Sequence, residues 1–268
     1  MMSWMPRFLR RKSRKSVAVV RLAGAIGSAG RGGLSDAGIA PVLKRAFTKG
    51  KPDAVALIIN SPGGSPVQSS LIGARIRRLA DEHDVPVYAF VEDVAASGGY
   101  WLAAAADGIY VDDSSVVGSI GVISSGFGAH VFLSRQGIER RVHTAGTSKS
   151  MLDPFRPENP EDVTRLKGLL DQIHKTFIAH VRRRRGAKLA DDPAVFSGEI
   201  WVGQSACEVG LADHVGHLEP VMQELFGKKV RFRRYGQRRR PAQRFGMNLT
   251  QGLVHQIEAR AAFARFWL

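Results

Sequence analysis

The chain has 268 residues and a single cysteine, Cys207. One thiol makes no internal disulfide and no cysteine metal cluster, so a disulfide framework and a zinc ribbon are both excluded. The eight histidines show no HExxH-type ligand spacing. Long hydrophobic runs are also missing. Ser114–Ser134, one of the two longest stretches without a formal charge, holds six serines, four glycines and a histidine, too polar and glycine-rich to span a bilayer. Near the N-terminus the apolar run Val17–Val20 stops at Arg21 after four residues. A signal-peptide core needs ~7–15.

Acidic residues are scarce at both ends. Residues 1–21 carry seven Lys and Arg and no acid, and residues 228–268 carry eleven against Glu258 alone. The ends thus hold +7 and +10 of a net +15, which leaves −2 for residues 22–227. The protein is therefore not uniformly basic. It reads as a basic N-terminal arm (1–16), a near-neutral domain (17–227), and a basic linker with an amphipathic C-terminal tail (228–268). Basic arms bind nucleic acid or anionic membrane surfaces, or stay solvated. Met1–Lys15 places Trp4, Met5, Phe8 and Leu9 among arginines, which suits an interfacial helix. The preferred expectation is a cytoplasmic protein, or one peripheral on the inner membrane through its basic ends, with nucleic-acid binding the lesser alternative.

What is present is an α/β alternation. Val17–Leu22 reads as a strand, Gly24–Gly33 as a loop and Leu34–Thr48 as a helix. Ala54–Ile59 and Val85–Val91 are continuous apolar runs, the mark of strands buried on both faces. Val67–Asp81 and Trp101–Ala106 read as helices, Gly108–Val111 as a strand, and Val116–Ile123 as a further apolar segment. A helix near His130–Gln136, a strand at Arg140–His143 and a long loop at Ala145–Pro157 are expected next, then a long helix at Pro160–Arg185. Phe196–Val202 and Gln204–Val215 read as a strand–helix–strand passage, and Leu249–Phe266 as a terminal amphipathic helix. Strand, glycine turn, helix repeated twice implies parallel pairing.

Both buried strands run into glycine turns. Asn60-Ser61-Pro62-Gly63-Gly64-Ser65 follows the first, and Ala96-Ser97-Gly98-Gly99-Tyr100-Trp101 follows the second. A rigid glycine turn can aim backbone N–H groups outward as an oxyanion hole, or it can be only a tight turn. Ser97 at the start of a helix can be a nucleophile or an N-cap. Neighbouring parallel strands bring their C-terminal ends to one side of a sheet, where ligand sites lie, so the two turns together supply donors and a hydroxyl at one place.

The motifs NSPGGS, ASGGYW and VGSIGV, in that order, resemble the signal peptide peptidase A (SppA-type) serine peptidases, relatives of ClpP within the ClpP/crotonase fold. Gly198, Trp201, Gly203, Ala206, Gly210, Leu211 and Asp213 match a late stretch of the same family, so the resemblance runs from about Val17 to Val221. It implies an α/β fold of repeated strand–turn–helix units around a mostly parallel sheet. It also implies acyl transfer by a Ser–Lys dyad on peptide substrates, without a cofactor or metal. The matching positions are Ser97 as nucleophile, Lys149 in Ala145–Ser150 as base, Ser119 as the hydroxyl orienting that lysine, and the amides of Gly64 and Gly98 as oxyanion donors. An ordinary lysine, with a pKa near ~10.4, is protonated at neutral pH, so an apolar cleft must disfavour its charge. His130 and His143 are expected to be ordinary histidines, and Tyr100, Trp101 and Cys207 packing residues. The family forms rings or domes in which neighbours complete the clefts, so a homo-oligomer is expected. The chain reads as a compact version without the family's N-terminal anchor or tandem repeat. Rival readings are a crotonase-like acyl-CoA enzyme and a non-catalytic scaffold of the same fold.

Overall fold

The computed structural model describes residues 14–27, 33–146, 148–236 and 263–266. Its centre is a mostly parallel sheet built by β1 (Ser16–Ala23), β2 (Ala54–Ser61) and β3 (Val87–Ala96). Every second residue of β1 and β2 points to one face. Ala18, Val20, Leu22, Val55, Leu57 and Ile59 join the larger core, while Val17, Val19, Ala54 and Ala56 join a smaller one on the other face. Burial on both faces is why these strands read as unbroken apolar runs.

The larger core is covered by α1 (Asp36–Thr48), α2 (Pro66–His83) and α3 (Gly98–Ala104). Ser35 and Ser65 cap α1 and α2, accepting from the Gly38 and Gln68 amides, and Pro66 starts α2 where its missing N–H costs nothing. Strand β3 is shared lengthwise. Its first half pairs with β4 (Gly108–Val111), its last residues with β5 (Val116–Gly118). That split carries the end of β3 toward Gly118 rather than toward β4.

The chain continues through α4 (His130–Arg135) and α5 (Pro160–Arg185). It then passes β6 (Ile200–Val202), α6 (Gln204–Glu208), β7 (His214–Val215), α7 (Leu218–Phe226) and β8 (Arg231–Tyr235). The sheet order is β6-β5-β3-β2-β1-β8, with β4 and β7 branching from β3. Only α5's second half is buried, through Phe177, His180, Val181 and Arg185. At that end the Arg185 guanidinium, nearly fully buried, pairs with Asp213, which also receives Lys188 and the Ile109 amide.

Three expectations are corrected. Arg140–His143 forms no strand. It carries two arginines and a histidine, is mostly exposed, and Arg140 bonds Asp153 instead of a ladder partner. The segment Val116–Ile123 is a strand only to Gly118, because Gly118 (φ 105°) and Ser119 (φ 50°) turn the chain out of the sheet. The basic stretch after Lys228, expected as linker, contributes β8, which lies parallel to β1. The arm before residue 14 and most of Leu249–Phe266 lie outside the described residues.

Candidate active site

Strand β2 ends in Pro62-Gly63-Gly64, where Gly63 (φ 97°) and Gly64 (φ 141°) take conformations closed to other residues. Ile26 stitches this turn down: its amide donates to the Gly63 carbonyl at 2.8 Å, and its carbonyl accepts from the Ser65 amide at 2.7 Å. A side chain at Gly64 would strike the Ile26 carbonyl.

Strand β3 ends in Ser97, with φ 52° and ψ −122°. A non-glycine residue there stores strain on the order of 1–3 kcal/mol and persists only when its surroundings hold it. Its amide donates to the Gly118 carbonyl at 2.8 Å, and its own carbonyl accepts from Trp101. The Ser97 hydroxyl makes no capping hydrogen bond to α3. The N-cap role is therefore not what holds this serine. The two turns touch: a Cβ at Gly63 would lie 2.7 Å from the Gly98 nitrogen and 2.8 Å from Ser97 Cβ. Among the described residues, neither the Gly64 nor the Gly98 amide has an acceptor.

A cavity of about 450 Å³ opens over these turns. Ser97, Gly64, Gly98 and Ser119 all line it. Ser119 has φ 50°, and its amide donates to the Glu199 carbonyl at 2.6 Å. Trp101, Val122, Ile123, Ile173, Phe177 and Phe266 supply apolar walls, and Arg265 is the cavity's charged residue. Trp101 stacks against both Phe177 and His180, with ring centroids 4.8 and 4.7 Å away. His180 Nε2 bonds the Trp101 carbonyl at 3.1 Å. Burial, seconded by Arg183 and Arg184, pushes this imidazole down to about 4, so it is neutral at physiological pH.

Lys149 stands elsewhere. It is exposed in a turn, its amide donating to the Gly146 carbonyl at 3.2 Å, and it does not line the Ser97 cavity. The structure thus brings four of the five predicted site residues together and leaves the lysine apart. The segment carrying it is sparsely packed: Ile123, Phe127, Val131, Phe132 and Ile138 are exposed, and α4 buries none of its residues. His130 lines a second cavity formed by this segment, and His143 is exposed. Tyr100 is fully buried with its hydroxyl on the Leu211 carbonyl at 2.8 Å. Cys207 packs against the core, and burial pushes its thiol pKa up. Sequence reasoning missed the walls. Trp101 was read as packing only, and Ile173 and Phe177 fell inside the expected helix Pro160–Arg185 without being singled out.

A mostly parallel α/β sheet thus carries a strained serine and unengaged glycine amides at its strand ends, on a ClpP/crotonase-like fold. Residues 80–230 match the family described as Peptidase family S49, and the chain belongs to that family. Over 272 residues it is 46% identical to the Na(+)/H(+) antiporter NhaA of Brucella abortus, spanning 94% of this chain and 37% of that protein. It is 30% identical to the putative signal peptide peptidase SppA of Enterococcus faecium, over 65% of this chain and 51% of that one. The chain therefore spans about a third to a half of the length of these relatives. The 1510-N membrane-bound stomatin-specific protease has a similar fold. Its serine-to-alanine mutant superposes with a TM-score of 0.53 at 15% identity, covering 84% of this chain and all of that one. Its lysine-to-alanine mutant, in complex with a substrate peptide, superposes at 0.52 and 14%, covering 91% and 98%.

Proposed function

We propose that this protein is a serine endopeptidase that cleaves peptides through an acyl-enzyme on Ser97, with Lys149 as its base. The observation that carries the reading is Ser97 itself. It is strained at φ 52°, free of any capping bond, and set beside two glycine amides in a cavity with apolar walls. Strain of this kind is retained where it aims a reacting group.

The Lys149 amine takes the proton of Ser97 Oγ as that oxygen bonds to the peptide carbonyl carbon. The Gly64 and Gly98 amides hold the resulting oxyanion, a contribution of the order of 10²–10³ in rate per donor. Collapse breaks the C–N bond, and Lys149 returns the proton to the leaving amine. Water, deprotonated by the same amine, then attacks the ester carbon, the acyl C–Oγ bond breaks, and the amine returns that proton to Ser97 Oγ. Ser119 orients the amine. The apolar walls favour small or apolar side chains beside the scissile bond, in signal-peptide-like or other unfolded polypeptides.

The base must be uncharged, which desolvation between apolar walls favours. In the single chain Lys149 is exposed on a segment rich in exposed apolar residues. We infer that a homo-oligomer, ring or dome, covers that segment and brings a lysine to each serine. Fluorophosphonate labelling of Ser97, with peptide turnover by Ser97→Ala, Lys149→Ala and their mixture, tests this. Each variant alone should be inactive, and activity recovered on mixing identifies a lysine supplied by a neighbour. Turnover by Lys149→Ala alone would remove the dyad. A crotonase-like acyl-CoA enzyme would not label.

The enzyme is further proposed to work at a membrane surface. A 46%-identical relative is named as an antiporter, of which this chain matches 37%. No helix among the described residues is long and apolar enough to cross a membrane. The attachment proposed is made by the basic residues.

A further inference from the structure

The two basic ends of this chain are some 200 residues apart in sequence, yet the sheet brings them to one edge. Strand β8 is the last strand of the order and lies parallel to β1, with Ser16 opposite Arg231. Residue 14, where the N-terminal arm meets the body, therefore stands at the foot of the same edge, and the Arg231 amide donates to the Lys15 carbonyl at 2.9 Å. The C-terminal basic run leaves from the other end of β8, where Arg45 of α1 bonds the Gly236 carbonyl at 2.7 Å.

The edge itself is cationic. Arg231, Arg233 and Arg234 are three of the five residues of β8, and all are exposed. The end of α1 adds Lys49 and Lys51: the Tyr235 hydroxyl bonds the Lys49 carbonyl at 2.8 Å, and the Arg233 guanidinium lies over Gly50. Several arginines elsewhere on the body are matched, Arg75 to Asp36, Arg77 and Arg184 to Asp107, Arg185 to Asp213. Among the described residues, Lys49, Lys51, Arg231, Arg233 and Arg234 have no carboxylate within 4.0 Å. Asp53, beside the foot of the edge, is occupied by Lys15 and the Ser16 amide.

We propose that the β8 edge and the adjoining end of α1 form the docking surface of this protein for an anionic phospholipid bilayer. This deepens the membrane attachment proposed above by naming the face that makes it. Charge complementarity supplies the attraction, and arginine suits phosphate because its planar fork donates two hydrogen bonds at once. A bilayer is favoured over a nucleic acid because the arm that joins the body here interleaves Trp4, Met5, Phe8 and Leu9 with its arginines. That mixture partitions into a headgroup region. The orientation has a consequence for the peptidase. Lys15, Lys51 and Arg231 lie at the N-terminal ends of the strands, whereas Gly64 and Ser97 follow the C-terminal ends. Eight-residue strands separate the two by roughly 25 Å. Docking by this face leaves the cleft open to solvent.

The test is sedimentation of the full chain with vesicles of phosphatidylcholine, with and without phosphatidylglycerol, at low and high salt. A triple variant Arg231→Gln, Arg233→Gln, Arg234→Gln is compared with a control carrying the same charge loss elsewhere, Arg78→Gln, Arg135→Gln, Lys167→Gln. The native protein should bind only the phosphatidylglycerol vesicles and be released by salt. The β8 variant should lose affinity on the order of 100-fold, and the control should keep it. Undiminished fluorophosphonate labelling shows that the β8 variant is folded. Failure of the native protein to bind anionic vesicles, or a preference for duplex DNA or RNA over them, overturns the membrane attachment altogether. Equal binding by the native protein and the β8 variant, or an equal fall in the control, overturns only the assignment of this face.

Discussion

Replacing Gly63 by alanine separates a turn that merely needs glycine from one that holds the catalytic geometry. Gly63 has φ 97° and Gly227 has φ 93°, so an alanine is strained at either site, by about 1–3 kcal/mol. The surroundings differ. Nothing lies within 4 Å of a Cβ at Gly227. At Gly63 the new methyl would lie 2.7 Å from the Gly98 nitrogen and 2.8 Å from both the Ala96 oxygen and Ser97 Cβ. Ordinary contacts begin at 3.4 Å, and two of these three neighbours are backbone atoms that cannot swing aside. The turns must part by roughly 0.7 Å, moving the Gly98 amide and Ser97 relative to Gly64. A displacement approaching 1 Å costs on the order of 100-fold in rate. Fluorophosphonate labelling of Ser97, followed alongside urea unfolding, reads both effects. Gly227→Ala should lose stability and label at the native rate. Gly63→Ala should label about 100-fold more slowly even where it is fully folded. Native-rate labelling by a folded Gly63→Ala protein would refute the claim that contact between the two turns sets the oxyanion geometry.

Other consequences follow from the charged and titrating groups. His180 is held down to about 4 by burial, so the unfolded chain, with an ordinary value of 6.5, takes up its proton first. Stability is then full above pH 6.5 and falls as pH drops toward 4, by about 3 kcal/mol in all. Urea midpoints across that window should flatten in His180→Phe, which keeps the stack on Trp101. Asp213 resists its burial because Arg185, Lys188 and the Ile109 amide outweigh it and bring the carboxyl to about 2. Its contribution, about 2 kcal/mol, is present above pH 3.8 and is lost as pH falls toward 2. Asp213→Ala should cost more, about 3–5 kcal/mol in urea unfolding, because it leaves the buried Arg185 guanidinium without its carboxylate. Phe266→Ala removes an apolar wall of the Ser97 cavity, and cleavage of a peptide library should shift toward larger side chains beside the scissile bond.

The sequence was most legible where local pattern and burial coincide. Strands β2 and β3 are buried on both faces, so Ala54–Ile59 and Val85–Val91 read as strands without knowledge of their partners, although β3 itself starts at Val87. The glycine turns were equally plain, because strand ends in a parallel sheet put Gly64 and Ser97 on one side whatever the details of register. Strand β8 was not legible. Arg-Phe-Arg-Arg-Tyr has the charge of a linker, and only Phe232 and Tyr235 pack inward, as suits an edge strand that must discourage further pairing. Its place beside β1 depends on a contact some 200 residues away. Arg140–His143 failed in the opposite direction, since a residue alternation without a neighbouring ladder makes no strand.

Lys149 is a different kind of case, and it shows where reading a single chain ends. Ser97, Ser119, Gly64 and Gly98 are placed by the sheet and by hydrogen bonds internal to it, so one copy of the chain suffices to gather them. The segment bearing Lys149 follows Ser119 out of the sheet, and its larger apolar side chains Phe127, Phe132 and Ile138 find no core. A segment with so little burial has little in its own chain to hold it in one place. In the proposed oligomer the missing apolar contacts come from a second copy. The same contacts that would hold the segment would also desolvate the amine and favour its neutral form. Assembly and base activation are then one event, and a variant that dissociates the oligomer, Phe132→Glu for example, should abolish turnover at low protein concentration while leaving Ser97, its turns and the protomer fold unchanged. Full activity in a monomeric Phe132→Glu protein would separate the two and return the lysine to its own chain.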